Sequence, residues 1–165
     1  TCTSLKKDRT DWPGIYEWGP TALLPIFELL GSDFDERTIL FQDQEHTDIF
    51  AKIEFASKSA VASAKIGDGV KSEGELIISG TKGYVYIPAP WWKTDYFELR
   101  YEDQSENRRY FYQLDGEGIR YELVAFARAV ARGKAISNIK LQTTKRISGT
   151  MQKIIKRENC MVIRK

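Results

Sequence analysis

Apolar residues recur along this chain with two different periods, and the change of period separates helical from extended stretches. Between Trp18 and Leu30, the residues Leu23, Ile26, Phe27 and Leu30 return every three or four positions, as on one face of a helix, and Gly31 stops the run. Pro20 suits the first turn of such a helix. Pro25 fits less well, because it removes a backbone donor. From Arg37 to Leu114 the period is two. Ile49, Ala51, Ile53 and Phe55 alternate with Phe50, Lys52, Glu54 and Ala56, the pattern of a strand with one dry face. Comparable runs cover 60–66, 75–79, 84–87, 95–102 and 109–114. Gly67-Asp68-Gly69, Gly80-Thr81-Lys82-Gly83 and residues 103–107 supply turns between several of them. Connections this short favour antiparallel pairing.

After Gly118 the helical period returns. Ile119, Leu123, Phe126 and Val130 form one stripe, Arg120, Arg128 and Arg132 lie off it, and Gly133 ends the helix. Ser137 or Asn138 is placed to cap a second helix carrying Ile147, Met151, Ile154 and Ile155. Residues 160–164 suit a closing edge strand. The order helix, six or seven strands, two helices predicts an α+β fold: one large, predominantly antiparallel, open-faced mixed sheet with helices packed on one face. Tyr84, Tyr86, Tyr96, Tyr110 and Tyr112 fall on strand positions. Those that point away from the helices suit an oligomer interface, since each ring buries area while its hydroxyl keeps a polar partner; scattered tyrosines on a solvated sheet are the other reading.

Composition narrows the class. The chain has 165 residues, 42% hydrophobic and 29% charged, which predicts a single globular domain over 1–165. Cys2 and Cys160 show no metal or disulfide spacing, so a reducing, cytoplasmic setting is expected. No run of about 18 apolar residues is present, and the first residues lack a signal peptide's apolar core, so neither a membrane span nor an export signal is expected in this sequence. Charge is uneven. Residues 132–165 hold ten Lys or Arg against Glu158 alone, and the remainder is acidic. No nucleic-acid motif accompanies the basic end, so a solvated helix face or docking onto an acidic neighbour is the preferred reading over nucleic-acid binding.

Few residues point to chemistry. His46, the only histidine, sits in a polar stretch without cysteine at metal-ligand spacing, so no metal site is expected. Gly80-Thr81-Lys82-Gly83 precedes a strand, whereas a phosphate cradle precedes a helix, and the hairpin reading is preferred. Pro88-Ala89-Pro90-Trp91-Trp92 presents two tryptophans, either for stacking on a sugar or as a small core cluster under a loop. Residues 12–21, Trp-Pro-Gly-Ile-Tyr-Glu-Trp-Gly-Pro-Thr, concentrate polar and aromatic groups ahead of the first helix. They suit presentation of Glu17 and Thr21 to a ligand and, equally, a capping loop whose rings fill the seam between sheet and helix.

The order of elements, together with Glu75-Leu-Ile-Ile-Ser-Gly-Thr-Lys-Gly-Tyr-Val-Tyr-Ile87, Tyr121-Glu-Leu-Val-Ala-Phe-Ala-Arg-Ala-Val-Ala-Arg-Gly133 and the Glu-x-Gly helix start, resembles the C-terminal domain of the Gfo/Idh/MocA oxidoreductases, the glucose-fructose oxidoreductase and inositol dehydrogenase family. The resemblance spans nearly the whole chain. It implies a substrate-binding and oligomerisation domain of an oxidoreductase that uses NAD or NADP on a sugar, polyol or related hydroxyl compound, with a homo-oligomer formed through the sheet face. The chain has no G-x-G-x-x-G between strand and helix and no Glu-Lys-Pro string, and it does not begin with Met. The expectation is a coenzyme-binding domain outside this sequence, without which this stretch is inactive. In the family's motif Gly-Gly-x-x-x-Asp-x-Gly-x-His-x-x-Asp, Glu17 stands at the first acid, Gly19 matches, Thr21 replaces the histidine and Leu24 the second acid. A threonine hydroxyl stays protonated and cannot be a general base. Glu17 is therefore the catalytic candidate, with Tyr16 or a lysine from elsewhere as the other choices of base. Tyr16, Trp18, Thr21, Trp91 and Trp92 are substrate-contact candidates. A non-catalytic binding or scaffolding module of the same fold is the alternative.

Overall fold

The computed structural model describes residues 1–4, 14–31, 33–68, 70–134 and 137–164. They form two compact units, residues 1–73 with 139–165, and residues 74–138. The fold is α+β, with one mixed and one antiparallel sheet, so the strands expected in one sheet are divided between two.

In the first unit, strands β1 (Cys2–Ser4), β2 (Asp35–Gln42), β3 (Asp48–Ala56), β4 (Val61–Asp68) and β9 (Cys160–Arg164) lie in the order β1-β4-β3-β2-β9. The central three are antiparallel, whereas β1 pairs parallel with β4 and β9 parallel with β2. Helices α1 (Gly14–Leu30) and α3 (Leu141–Ile155) pack against one another, and α1 also packs on β3 and β4. The core between them holds Leu23, Ile26 and Phe27 of α1, Leu40, Ala51, Ile53, Phe55, Ala64 and Ile66 of the sheet, and Ile147 and Ile154 of α3. Phe55 meets Phe27 and Phe34 edge-on, with centroids 5.3 and 6.2 Å away.

Three local expectations are corrected here. Helix α1 begins at Gly14, so Pro20 is interior with Pro25 and not in the first turn. Each proline withdraws the N–H that would bond the carbonyl four residues back, those of Tyr16 and Thr21. Burial of the Ala22, Leu23, Ile26 and Phe27 stripe keeps the helix continuous across both. Second, α3 starts at Leu141 behind Lys140 with no side-chain cap, so neither Ser137 nor Asn138 caps it. Third, Gly67 and Asp68 belong to β4 rather than to a turn, and Gly69 lies outside the described residues.

In the second unit, β5 (Leu76–Ser79), β6 (Gly83–Ile87), β7 (Tyr96–Tyr101) and β8 (Arg108–Phe111) form an antiparallel sheet in chain order, followed by α2 (Ile119–Arg132). The Gly80–Gly83 segment is a hairpin turn, closed by the Gly80 amide on the Gly83 carbonyl at 2.9 Å. A Cβ on Gly83 would stand 2.5 Å from the Arg100 carbonyl oxygen, so only glycine fits there. Gly133 ends α2 in the left-handed conformation, φ 60°, as its position in the sequence implies.

Candidate functional site

The register of β2 with β3 creates the best-defined polar centre. Pairing runs regularly from Asp35 with Ala56 to Phe41 with Phe50, then Gln42 pairs with Asp48 and Ile49 is skipped. Such a bulge reverses which side of the sheet the next residue faces. Asp48 thereby joins Ala51, Ile53 and Phe55 among the buried residues of β3 instead of ending in solvent.

Its carboxylate gathers three other parts of the chain. The Tyr16 hydroxyl of α1 donates to Oδ2 at 2.9 Å, Gln42 of β2 donates to Oδ1 at 2.9 Å, and the Arg157 guanidinium donates to Oδ2 at 2.7 Å. Arg164 of β9 donates in turn to the Gln42 side-chain oxygen at 3.3 Å. Arg157 reaches Asp48 from the turn between α3 and β9, where Arg157 and Asn159 both hold positive φ, 60° and 52°. Residues with a Cβ adopt that conformation only where their surroundings enforce it. Burial works against the Arg157 charge, but the hydrogen bond and the attraction of Asp48 outweigh it and raise its pKa. Burial, with the adjacent Asp48 charge, pushes the Tyr16 phenol up to about 12. Tyr16 is thus a donor that stays protonated at neutral pH, and it does not suit the role of base that the sequence left open to it.

The linkage between this phenol and stability has a definite sign. A raised phenol pKa in the folded state favours the protonated form, so the stabilisation is complete below the ordinary value of 10 and is lost as pH rises towards about 12. With the phenol half-buried, the expected loss is about 1 kcal/mol after allowance for solvent screening. Urea denaturation across that alkaline range should show the extra slope in the parent and a smaller one in Tyr16→Phe. Phenolate absorbance should show one late-titrating tyrosine that the variant lacks.

A second acid with a buried side chain lies towards the other end of β2 in the same unit. Glu36 of β2 accepts from the Thr150 hydroxyl at 2.6 Å, lies 2.5 Å from the Lys153 ammonium and 3.5 Å from Arg146. Arg146 also donates to the Phe34 carbonyl. Of the ten basic residues in 132–165, Arg146, Lys153, Arg157 and Arg164 are therefore turned onto internal partners, which weakens the nucleic-acid reading of that segment. An open depression of about 380 Å³ is lined by Glu36, Arg37, Arg157, Asn159, Cys160 and Met161. Burial raises the Cys160 thiol pKa, so it is no thiolate nucleophile.

The sequence-derived candidates separate. At about 100° per residue, Glu17, Trp18 and Thr21 share one sector of α1, and Tyr16 falls outside it, against Asp48. Glu17 is exposed, without an ion-pair or hydrogen-bond partner among the described residues, and Trp18 and Thr21 are half-buried. Trp12 and Pro13 of the same junction lie outside the described residues. Trp91 and Trp92 belong to the second unit, half-buried and edge-on with centroids 5.9 Å apart; Trp92 packs beneath Gly74. His46 is exposed at φ 63° in the turn that follows β2, and no group of three potential metal ligands occurs among the described residues.

The tyrosine set also divides. Tyr84, Tyr86 and Tyr96 share one face of the second sheet with Glu98, Arg100 and Arg109, whereas Tyr110 stacks on Phe97 on the other face and Tyr112 follows the strand. Glu98 binds Arg100 at 2.6 Å and also Arg109, and both arginines hold its carboxyl below the usual range. Their guanidinium groups lie over Tyr86 and Tyr96, 4.3 and 4.8 Å from the ring centroids.

Sequence reasoning missed Asp48, Gln42, Arg157 and Glu36. The signal for Asp48 was the adjacent apolar pair Ile49-Phe50, which breaks strict alternation where the bulge occurs.

Solved structures of proteins named as reductases or oxidoreductases share this architecture. It aligns with the 3-ketoreductase KijD10 from Actinomadura kijaniata, solved with NADP and TDP-benzene, at a TM-score of 0.79 and 13% identity, over 99% of this chain and 53% of KijD10. The Bacillus subtilis protein yvaA, named as an oxidoreductase, aligns at 0.67 and 13% identity over 96% of this chain and 53% of its own. A second protein so named, yhhX, aligns at 0.60 and 14% identity over 94% of this chain and 51% of its own. The chain therefore spans about half the length of the solved structures it matches. No family model matches it, and the search of curated proteins returns no match. What is shared with these structures is the fold. Among the described residues, no helix is long and apolar enough to cross a membrane.

Proposed function

We propose that this chain is the substrate-binding and oligomerisation part of an NAD- or NADP-dependent oxidoreductase of the Gfo/Idh/MocA family, acting on a sugar, polyol or related hydroxyl compound. The observation that carries the reading is the alignment of 99% of the chain with one half of a reductase solved with NADP and a nucleotide-linked ligand. A nucleotide-linked sugar is accordingly the first substrate class to test.

The chain's own residues do not fit the coenzyme. None of its connections has the glycine-rich strand-to-helix turn that cradles a pyrophosphate, so the hydride chemistry is assigned to a domain outside this sequence. What this chain offers is recognition of a hydroxyl. Glu17 presents a carboxylate that accepts the hydroxyl proton, Thr21 adds a donor and acceptor one helical turn later, and Trp18 borders both. The Tyr16–Asp48–Arg157 network fixes the start of α1, and thereby the direction in which Glu17 and Thr21 project. The face carrying Tyr84, Tyr86 and Tyr96 serves oligomerisation.

A second reading follows from Thr21 at the histidine position and from the protonated Tyr16: a binding module without redox chemistry. NADPH oxidation by the intact protein with a panel of keto sugars separates the two. The oxidoreductase reading expects turnover, a fall in kcat of about 100-fold in Glu17→Gln and a fall in kcat/KM of about tenfold in Thr21→Val. Turnover unchanged in both variants removes the assigned site. Saturable ligand binding with no turnover establishes the binding module.

A further inference from the structure

Helix α1 meets α3 at a glycine. Gly19 is buried beside Trp18 and between Glu17 and Thr21, and the half-buried Met151 of α3 lays its thioether directly on it. A Cβ at Gly19 would stand 2.6 Å from Met151 Cε and closer still to Sδ. The space a glycine leaves is filled here by sulfur on a flexible chain, the side chain best able to fit an irregular gap. An oxygen added to that sulfur enlarges it and makes it polar, and a polar atom seated on a helix backbone without a donor is costly. Pro20, the next residue, has no N–H to supply one.

Of the two helices, α1 is the one that yields. Helix α3 is tied to β2 through Glu36, which accepts from Thr150 at 2.6 Å and pairs with Lys153 at 2.5 Å and Arg146 at 3.5 Å. Helix α1 lacks the backbone bonds that Pro20 and Pro25 withdraw, and helices bend at such points. A displaced α1 carries Glu17, Trp18 and Thr21 with it and loads the bond from Tyr16 to Asp48. The chain's other methionine, Met161, is 48% exposed on the edge strand β9, where an added oxygen meets solvent.

We propose that Met151 is a redox-sensitive positioning residue, whose oxidation to the sulfoxide shifts α1 and weakens the site that α1 carries. The oxidant is a hydroperoxide. Its terminal oxygen forms the S–O bond as the O–O bond breaks, the sulfur loses two electrons, and hydrogen peroxide is thereby reduced to water. The shift of α1 stands on the packing alone, whereas its effect on activity rests on the reading of α1 as the substrate helix. In a Cys2→Ser, Cys160→Ser background, hydrogen peroxide is added while mass spectrometry follows each methionine and amide chemical shifts follow the backbone. Sulfoxide at Met151 should move the amides of residues 16–21 and leave the spectrum otherwise dispersed as before. Met151→Leu, which keeps the volume, should hold them still, and Met151→Gln should move them without peroxide. In the intact protein, peroxide should lower kcat/KM for a nucleotide-linked keto sugar with NADPH about 100-fold, the effect of a misplacement of about 1 Å. That fall should occur in the parent and not in Met151→Leu, each against its own untreated activity, and methionine sulfoxide reductase should reverse it. Met151 unmodified where Met161 is fully oxidised, or a sulfoxide at Met151 that leaves residues 16–21 unmoved, overturns the proposal. Amide shifts there with kcat/KM unchanged remove the substrate from α1, and the regulation with it.

Discussion

Asp48→Ala should lower the unfolding free energy of the first unit by about 3 kcal/mol, read as a fall in the urea midpoint at unchanged slope. Removing this carboxylate takes away the acceptor of Tyr16, of Gln42 and of Arg157 together, and it leaves a guanidinium partly withdrawn from water without a counter-charge. The Arg157 side chain retains 38% exposure, which puts the value at the low end of what breaking a buried pair costs. Tyr16→Phe alone should cost about 1 kcal/mol, the worth of one ordinary hydrogen bond. The double variant should cost less than the sum, because both changes remove the same interaction. Strict additivity would show that the two groups do not act through each other.

Phe55→Ala is the change with the largest expected effect, about 4 kcal/mol. Phe55 is 1% exposed, and its ring takes the edges of Phe27 from α1 and Phe34 from the approach to β2. Truncation removes the ring's transfer free energy and leaves a cavity that a strand cannot collapse to fill, since its backbone is paired on both sides to β2 and β4. Against a domain stability of about 5–15 kcal/mol, that loss brings the unit near its threshold. Val61→Ala, at a residue 80% exposed on β4, is the matched control and should stay within about 0.5 kcal/mol. Equal effects at the two positions would contradict the packing described.

Legibility in the sequence followed the range of the interactions. Period-two runs disclosed β3 to β8, because alternation is a local consequence of one dry face, and Gly133 marked the end of α2, because glycine takes that φ without the cost a Cβ brings. Strand β1 was invisible: three residues paired parallel to β4 carry no period. The division into two sheets depends on which strands pair, and alternation does not encode partners. The candidate site was half legible. Glu17, Trp18 and Thr21 do share a face of α1, but the anchor of that helix is a carboxylate 32 residues away from Tyr16, brought there by a bulge. Beyond the Ile49-Phe50 pair beside Asp48, nothing local in the sequence singles out Glu36 or Asp48; burial and three basic residues of the C-terminal segment make them internal partners.

The most direct test of the central claim, that α1 holds the reacting hydroxyl compound, is amide chemical-shift mapping of this chain titrated with whichever sugar or polyol supports turnover. The account expects saturable shifts centred on Glu17, Trp18 and Thr21 that need about tenfold more ligand in Thr21→Val while the rest of the spectrum keeps its dispersion. Saturable shifts clustered elsewhere, with α1 silent, would contradict it.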